Sequence, residues 1–185
     1  MNADSSVVIL TNRQDAVVEV EASFSDCIHS SLRSQGADAN VIPEQQFKDA
    51  LFPWFESRLA PNKPEMLPRM MQDERIADKI NDMKVRYLVW IHGESERSNE
   101  QGSMSCTITS AGGGCVGLLS WENDSNYEAS IWDLQEGQSI GIISAEANGT
   151  TVIPAIGIPI PLIARTKTAT CKGLADQLAG LLKGA

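Results

Sequence analysis

The sequence has too few basic residues for a nucleic-acid partner and no long apolar run. Lys and Arg number 15 against 24 Asp and Glu, which gives a formal net charge of −9. A phosphate backbone needs a basic protein face, and an anionic lipid surface attracts polybasic segments. No window reaches the roughly 18 apolar residues of a membrane-spanning helix. The sequence therefore predicts no nucleic-acid binding and no transmembrane span.

Internal repeats, low-complexity tracts and domain boundaries are also missing. A length of 185 residues suits one globular domain with a core of its own. We therefore predict that residues 1–185 form a single domain, in which residues 1–6 are a disordered leader or a remnant added for expression.

No secretory leader is evident at the N-terminus. Residues 1–4 are polar and carry no basic residue, and the apolar run Val7–Leu10 is too short for the core of a signal peptide. Two interpretations follow. The protein is cytoplasmic if Met1 is the native start, and it is periplasmic and membrane-anchored as a precursor if a leader has been removed.

Four cysteines are present, and their spacing fits no metal site. Cys106 and Cys115 flank a glycine-rich stretch that is typical of a hairpin turn, so we predict that they face each other across two strands and form a disulfide. Cys27 and Cys171 lie on the apolar stripes of two predicted helices, where they either pair or remain small buried side chains. Disulfides between these cysteines would indicate an oxidising compartment.

Hydrophobic periodicity predicts an α/β (α+β) domain. The first half predicts a strand at residues 7–10, a helix from Ser23 that ends at Gly36, a short strand, a helix from Pro43, a long helix over residues 65–83 and a buried strand at residues 87–91. The second half predicts strands near residues 104–108, 116–121, 127–134 and 140–147, turns at residues 123–126 and 136–137, and a terminal helix over residues 168–183. The expected architecture is a mixed, largely antiparallel sheet with helices packed on it and a C-terminal helix.

Two apolar segments are candidate contact surfaces. The segment Val152–Ala164 has three prolines and no charge, which excludes an inner strand or a helix. We favour a buried cover over a sheet edge; the alternative is an exposed patch that docks a partner through Ile156, Ile158 and Ile160. Near Pro53, the aromatic residues Phe52, Trp54 and Phe55 form either a core plug or an anchor for a protein partner.

Catalytic constellations are sparse. Cys115 could act as a nucleophile if His92, at the end of a predicted strand, supplies the base. Glu94 and Glu96 would share one side of an extended chain, where they could do acid–base work, hold Ca²⁺ or simply be solvated. No sequence pattern indicates a cofactor.

Several strings together resemble a group of uncharacterised bacterial envelope lipoproteins. They are Asp26–Ile28, Pro43–Trp54, Val85–Val89, Gly112–Cys115, Ile131–Leu134 and Ile153–Ala164. More distantly, the chain resembles the periplasmic α/β domains of curli-secretion channel lipoproteins, penicillin-binding-protein activators and the Tol translocation protein, with residues 133–137 in the place of their D-x-x-x-G turn. The chain departs from these proteins in its proline-rich insert and in lacking a lipid-attachment cysteine.

This resemblance implies the soluble domain of an envelope protein that contacts a protein partner or a second copy of itself, without catalysis. The alternative from the residues is a small cysteine-dependent hydrolase or transferase that uses Cys115 with His92.

Overall fold

The computed structural model of the chain describes residues 6–11, 22–35, 40–55, 66–110 and 112–184. Short elements fill the first half, and three long strands followed by a helix fill the second. In chain order the elements are β1 (Ser6–Thr11), α1 (Ala22–Ser34), β2 (Asn40–Ile42), α2 (Glu44–Ala50), α3 (Leu67–Met70), α4 (Glu74–Asp82), β3 (Val85–Thr109), β4 (Gly112–Asp133), β5 (Gln138–Pro159) and α5 (Thr166–Gly184).

The strands form one five-stranded sheet in the order β2-β1-β3-β4-β5. Strand β1 is parallel to both β2 and β3, because helices connect these strands, whereas β3, β4 and β5 follow each other through tight turns and are antiparallel. The predicted fold class, a mixed and largely antiparallel sheet with packed helices and a C-terminal helix, is confirmed.

The core lies on both faces of the sheet. Successive side chains in the buried first part of β3 point to opposite faces. Tyr87, Val89 and Ile91 therefore pack under α1 and α5, while Leu88 and Trp90 pack under α2, α3 and α4. We call these sides the α5 face and the α4 face. The continuous apolar run of β3 therefore reflects burial on both sides, as its sequence predicted.

The long helix predicted for residues 65–83 is divided into α3 and α4. Asp73 separates them, since its side chain accepts a hydrogen bond from the backbone N–H of Arg75 at 3.0 Å and caps α4. An Asp that can bond the backbone locally favours a helix start over a helix interior, which explains the break.

The turn predicted at residues 123–126 is wrong, because β4 runs through it without interruption. The polar side chains that suggest a turn find partners from neighbouring elements instead. Asn123 donates to the Thr151 hydroxyl at 2.7 Å, and Ser125 donates to the Thr166 hydroxyl at 3.0 Å. The separate strands predicted on either side of this turn are thus one strand.

Some predicted features lie outside the described residues. They are residues 1–5 of the predicted leader, whose last residue, Ser6, begins β1, and the helix stop at Gly36.

The predicted Cys106–Cys115 disulfide is confirmed, and Cys27 and Cys171, whose pairing the sequence left open, also form a disulfide. Cys27–Cys171 ties α1 to α5 across 144 positions of sequence, and Cys106–Cys115 joins directly opposed residues of β3 and β4 that are 9 positions apart. The first bond clamps the two helices that cover the α5 face, and the second clamps the end of a hairpin.

We predict unequal effects of the two disulfides on stability. Because the entropy of loop closure grows with loop length, removing Cys27–Cys171 by paired Ala substitutions should cost about 5 kcal/mol of unfolding free energy, against about 2.5 kcal/mol for Cys106–Cys115. Urea denaturation of both double variants measures the difference. Equal losses, or a larger loss for the hairpin bond, would contradict it.

Candidate functional site

Three strands extend beyond the helices as a projection, which we define as residues 101–109, 112–121 and 152–163. Side chains of β3 are buried up to Ile91 and those of β4 only from Ser125 onward, so the distal parts of both strands have no helix over them. Helix α5 begins at Thr166, beside Ser125, and marks the base of the projection. This part of the sheet therefore consists of strands alone.

The projection carries no charge. No charged residue occurs between Glu100 and Glu122, or between Glu146 and Arg165, in a chain whose net charge is −9. Both uncharged stretches meet in space, because Ser120 pairs with Gln101 on one side and with Val152 on the other. The charged residues of this domain are thus confined to the rest of the surface.

Large apolar side chains are exposed on the projection. Val116 and Ile156 lie directly opposite each other in register, and both belong to the α4 face, since β4 alternates regularly from the buried Trp132 to Val116. Ile156 is 94% exposed. The other exposed apolar residues of the projection are Ile108, Leu118, Ile158, Ile160, Leu162 and Ile163.

The chain folds back along β5 after Pro159. Backbone hydrogen bonds pair Val152 with Leu162 in both directions, at 3.0 and 2.8 Å, and the N–H of Ile160 donates to the Pro154 carbonyl at 3.0 Å. The outer edge of β5 is therefore covered at this height. Pro154 fits an edge strand because its missing N–H would point outward rather than toward β4.

The two interpretations of Val152–Ala164 are thereby decided. The return does cover a sheet edge, but the side chains of Ile156, Ile158 and Ile160 are exposed rather than buried. The favoured interpretation, a buried cover, is wrong for these side chains, because the described residues place no helix above them to exclude water.

An aromatic–cation pair marks the base of the projection. The guanidinium of Arg97 lies 3.8 Å from the centre of the Trp121 ring, and the indole N–H of Trp121 donates to the Asn123 side chain at 3.1 Å. Arg97 also pairs with Glu100 at 3.0 Å. Charged side chains are therefore present directly beside the uncharged part of the strands, where the projection joins the rest of the domain.

An acidic depression lies on the α4 face, between the core and the projection. Glu94, Glu96, Asp124 and Glu146 line this cavity of about 400 Å³ together with amide and small side chains. Glu94 and Glu96 share one side of β3, as expected. Among the described residues, no three acidic, His or Cys side chains are placed to hold a metal ion.

The structure does not assemble the proposed cysteine–histidine pair. Cys115 is bonded to Cys106 and has no free thiol, while His92 lies opposite Glu128 and contacts its carboxylate at 3.1 Å. Cys115 and Glu128 are 13 positions apart on β4, a distance of about 40 Å along an extended strand. His92 therefore cannot act as a base for Cys115.

The aromatic cluster near Pro53 is divided between core and surface. Phe55 is buried and packs edge-on against Phe47, with ring centres 5.1 Å apart, whereas Phe52 is 61% exposed. Trp54 is half-buried beneath the cationic groups of Arg75 and Lys79, which lie 5.3 and 5.8 Å from its ring centre. The three residues therefore do not form one buried plug, and a partner contact at the exposed Phe52 stays a prediction.

Besides Arg75, whose pKa is raised by its hydrogen bonds to Asp73, three groups away from the projection have shifted pKa values. Side-chain hydrogen bonds from Arg75 lower the pKa of Asp73, burial lowers the pKa of His29, and burial raises the pKa of Tyr87. The Tyr87 hydroxyl has no hydrogen-bond partner among the described residues, which accords with its place in the apolar core. None of the three lies on the projection.

Sequence reasoning found the β5 side of the projection but missed its β4 side. Val116 and Leu118 were assigned to an ordinary strand, although they are 72% and 53% exposed. The available signal was the long stretch without charge that contains them, which matches the stretch around Ile156. Because the uncharged stretch around Val116 pairs with the one around Ile156, the two together form one apolar surface.

No protein-family model and no curated protein matches the chain. Among solved structures, it is similar to a dodecameric PelC variant from Paraburkholderia phytofirmans, with 12% identity, a TM-score of 0.39 and coverage of 97% of this chain and 89% of that one. It is also similar to the lipoprotein GNA1162 from Neisseria meningitidis, with 10% identity, a TM-score of 0.35 and coverage of 97% and 96%.

Within the described residues, no helix is both long and apolar enough to cross a membrane.

We predict graded effects of alanine substitution in the aromatic cluster. Phe55→Ala should cost about 3–5 kcal/mol because it empties a core position. Trp54→Ala should cost about 1–2 kcal/mol, since Trp54 is only partly buried, and Phe52→Ala less than about 0.5 kcal/mol. Urea denaturation of the three variants ranks them; a large loss for Phe52→Ala would show that the cluster is one structural unit.

Proposed function

We propose that the chain is a non-catalytic domain of a bacterial cell-envelope protein that acts through protein–protein contact at the projection. The observation that carries this proposal is the exposure of large apolar side chains on strands that hold no charge. Contiguous apolar surface of this kind is costly in water and is typical of interaction sites.

The form of the projection supports a contact role. Its hairpin is closed by the Cys106–Cys115 disulfide, and the outer edge of β5 is covered by the chain's own return. Both features hold the strands in place without a helix layer. A surface that is already ordered loses less conformational entropy when a partner covers it.

The compartment in the proposal is the periplasm, with lipid anchoring of the precursor. Its support is chemical, because both disulfides need an oxidising environment to persist, and it agrees with the envelope lipoproteins that the sequence resembles. The enzyme alternative has no support, because Cys115 and His92 are far apart and the thiol is bonded.

We predict that both disulfides are formed in cells. Cells that express the full-length precursor are treated with a mass-shifting maleimide under denaturing conditions, with and without prior reduction. Labelling should require reduction, and spheroplast fractionation should place the protein outside the cytoplasm. The Cys106→Ser, Cys115→Ser double variant is the control, since reduction should expose only two thiols in it. Labelling of the wild type without reduction contradicts the proposed compartment.

We also predict that the projection contacts protein in the cell. A photoreactive phenylalanine replaces Ile156 at the projection or Ile142 on the same strand and face, where the side chain is 63% exposed. Irradiation should give a covalent protein adduct from position 156 and little from position 142. Absence of any protein adduct from position 156 would refute the proposed function.

A further inference from the structure

We infer that the partner of the projection is a second copy of this chain. The two copies pack the α4 faces of their projections against each other in a closed two-fold dimer. The inference rests on the proposed function and names its partner.

The contact surface is a continuous apolar strip on one face. Val116 and Leu118 are on the α4 face, and Ile156 and Ile158 continue the alternation of β5 on that side. The strip also includes Ile160 and Leu162, because they lie opposite Pro154 and Val152 of the same face in the returning segment.

The strip has the area that a stable dimer needs. Its six side chains are between 53% and 94% exposed, and an aliphatic side chain offers roughly 100 Å² of apolar surface, so the strip presents roughly 400 Å². A standard interface buries about 800 Å² per partner, a little over half of it apolar. The strip therefore supplies nearly all the apolar area of such an interface, and Val152 and Pro154 lie between its members.

Charge restricts where two copies can meet. Each copy has a net charge of −9, and the acidic depression of Glu94, Glu96, Asp124 and Glu146 lies on the same face. Like charges that face each other across an interface oppose association. The projection is uncharged, so two copies that meet there bring the fewest carboxylates together. Added salt should strengthen this contact by screening the remaining repulsion.

A hydrocarbon environment suits the projection less well than a protein surface does. Ser103, Ser105 and Thr107 line the β3 margin of the same face, opposite Leu118, Val116 and Gly114. Among the described residues, only β1 pairs with the outer edge of β3, and it reaches no further than Ile91. The backbone groups of this edge would be unsatisfied in lipid, whereas a partner that covers only the apolar strip leaves them in water.

The one-sided strip favours closure at two copies. The same patch on both subunits forms an isologous contact, and once two strips cover each other no equivalent surface is left for a third copy. Two sheets that pack face to face lie about 10 Å apart, a spacing that aliphatic side chains fill.

The test is sedimentation equilibrium of the oxidised protein over about 1–100 μM, with the variants I156D and L118D. The matched control is I142D, which places the same charge on the same face of β5 outside the projection. The wild type and I142D should form a dimer with no larger species, and salt should strengthen it. I156D and L118D should raise the dissociation constant at least about tenfold. Circular dichroism and thermal melting confirm that each variant is folded.

Other outcomes overturn the inferred dimer and distinguish its failure from a failure of the proposed function. A wild type that stays monomeric at the highest concentration, or that forms open-ended assemblies, excludes the closed dimer. If position 156 still crosslinks to a different protein in cells, the proposed function survives and only the second copy is wrong. If the monomer instead floats with phosphatidylethanolamine–phosphatidylglycerol vesicles and I156D does not, the occupant is lipid. If the protein is monomeric, gives no protein crosslink from position 156 and does not bind the vesicles, both the inference and the proposed function fail.

Discussion

Strand β4 holds the sheet together, because it forms backbone hydrogen bonds with a neighbouring strand on each side. β4 pairs with β3 and β5 through nearly its whole length, and these two ladders join the core of the domain to the projection. The N-terminal elements join this framework through β1, which pairs with the first part of β3, and through the Cys27–Cys171 bond between α1 and α5. Strands that continue past the last helix can bury one another's backbone groups, but they cannot bury their side chains.

Beyond the helices, three local features of the strands keep the sheet ordered. Gly93 lies at this transition with φ +145°, and a Cβ there would come within 2.3 Å of the Asn126 carbonyl oxygen. The missing side chain leaves room for the ring of Tyr127, which stacks on Phe24 of α1 with centres 3.9 Å apart. Further out, the Cys106–Cys115 bond holds the hairpin, and the pairing of Val152 with Leu162 protects the edge of β5. The projection is thereby ordered while its apolar face stays open.

The separation of charge from the projection links this architecture to the proposed role. The acidic side chains lie on the α4 face, closer to the core than the exposed apolar residues, and Arg97 stacks on Trp121 at the boundary on the opposite face. The apolar residues of the projection favour contact with a partner, whereas the acidic side chains beside them repel a partner that is also acidic. The two surfaces together restrict the orientations in which such a partner can bind. The two disulfides accord with an oxidising compartment, which is where the envelope proteins that the sequence resembles also reside.

The fold class, most of the core and the terminal helix could be predicted from the residues alone, because these depend on local periodicity and composition. The residues indicate the buried first part of β3, the apolar stripe of α5 and the exclusion of Pro154 from an inner strand. That residues 123–126 continue a strand depends on tertiary contacts, since Asn123 and Ser125 form hydrogen bonds to Thr151 and Thr166 that a turn would otherwise provide. The exposure of Ile156 and the burial of Phe55 depend on tertiary contacts as well. Exposure depends on whether another element lies above a residue, and neither the residue nor its neighbours in sequence carry that information.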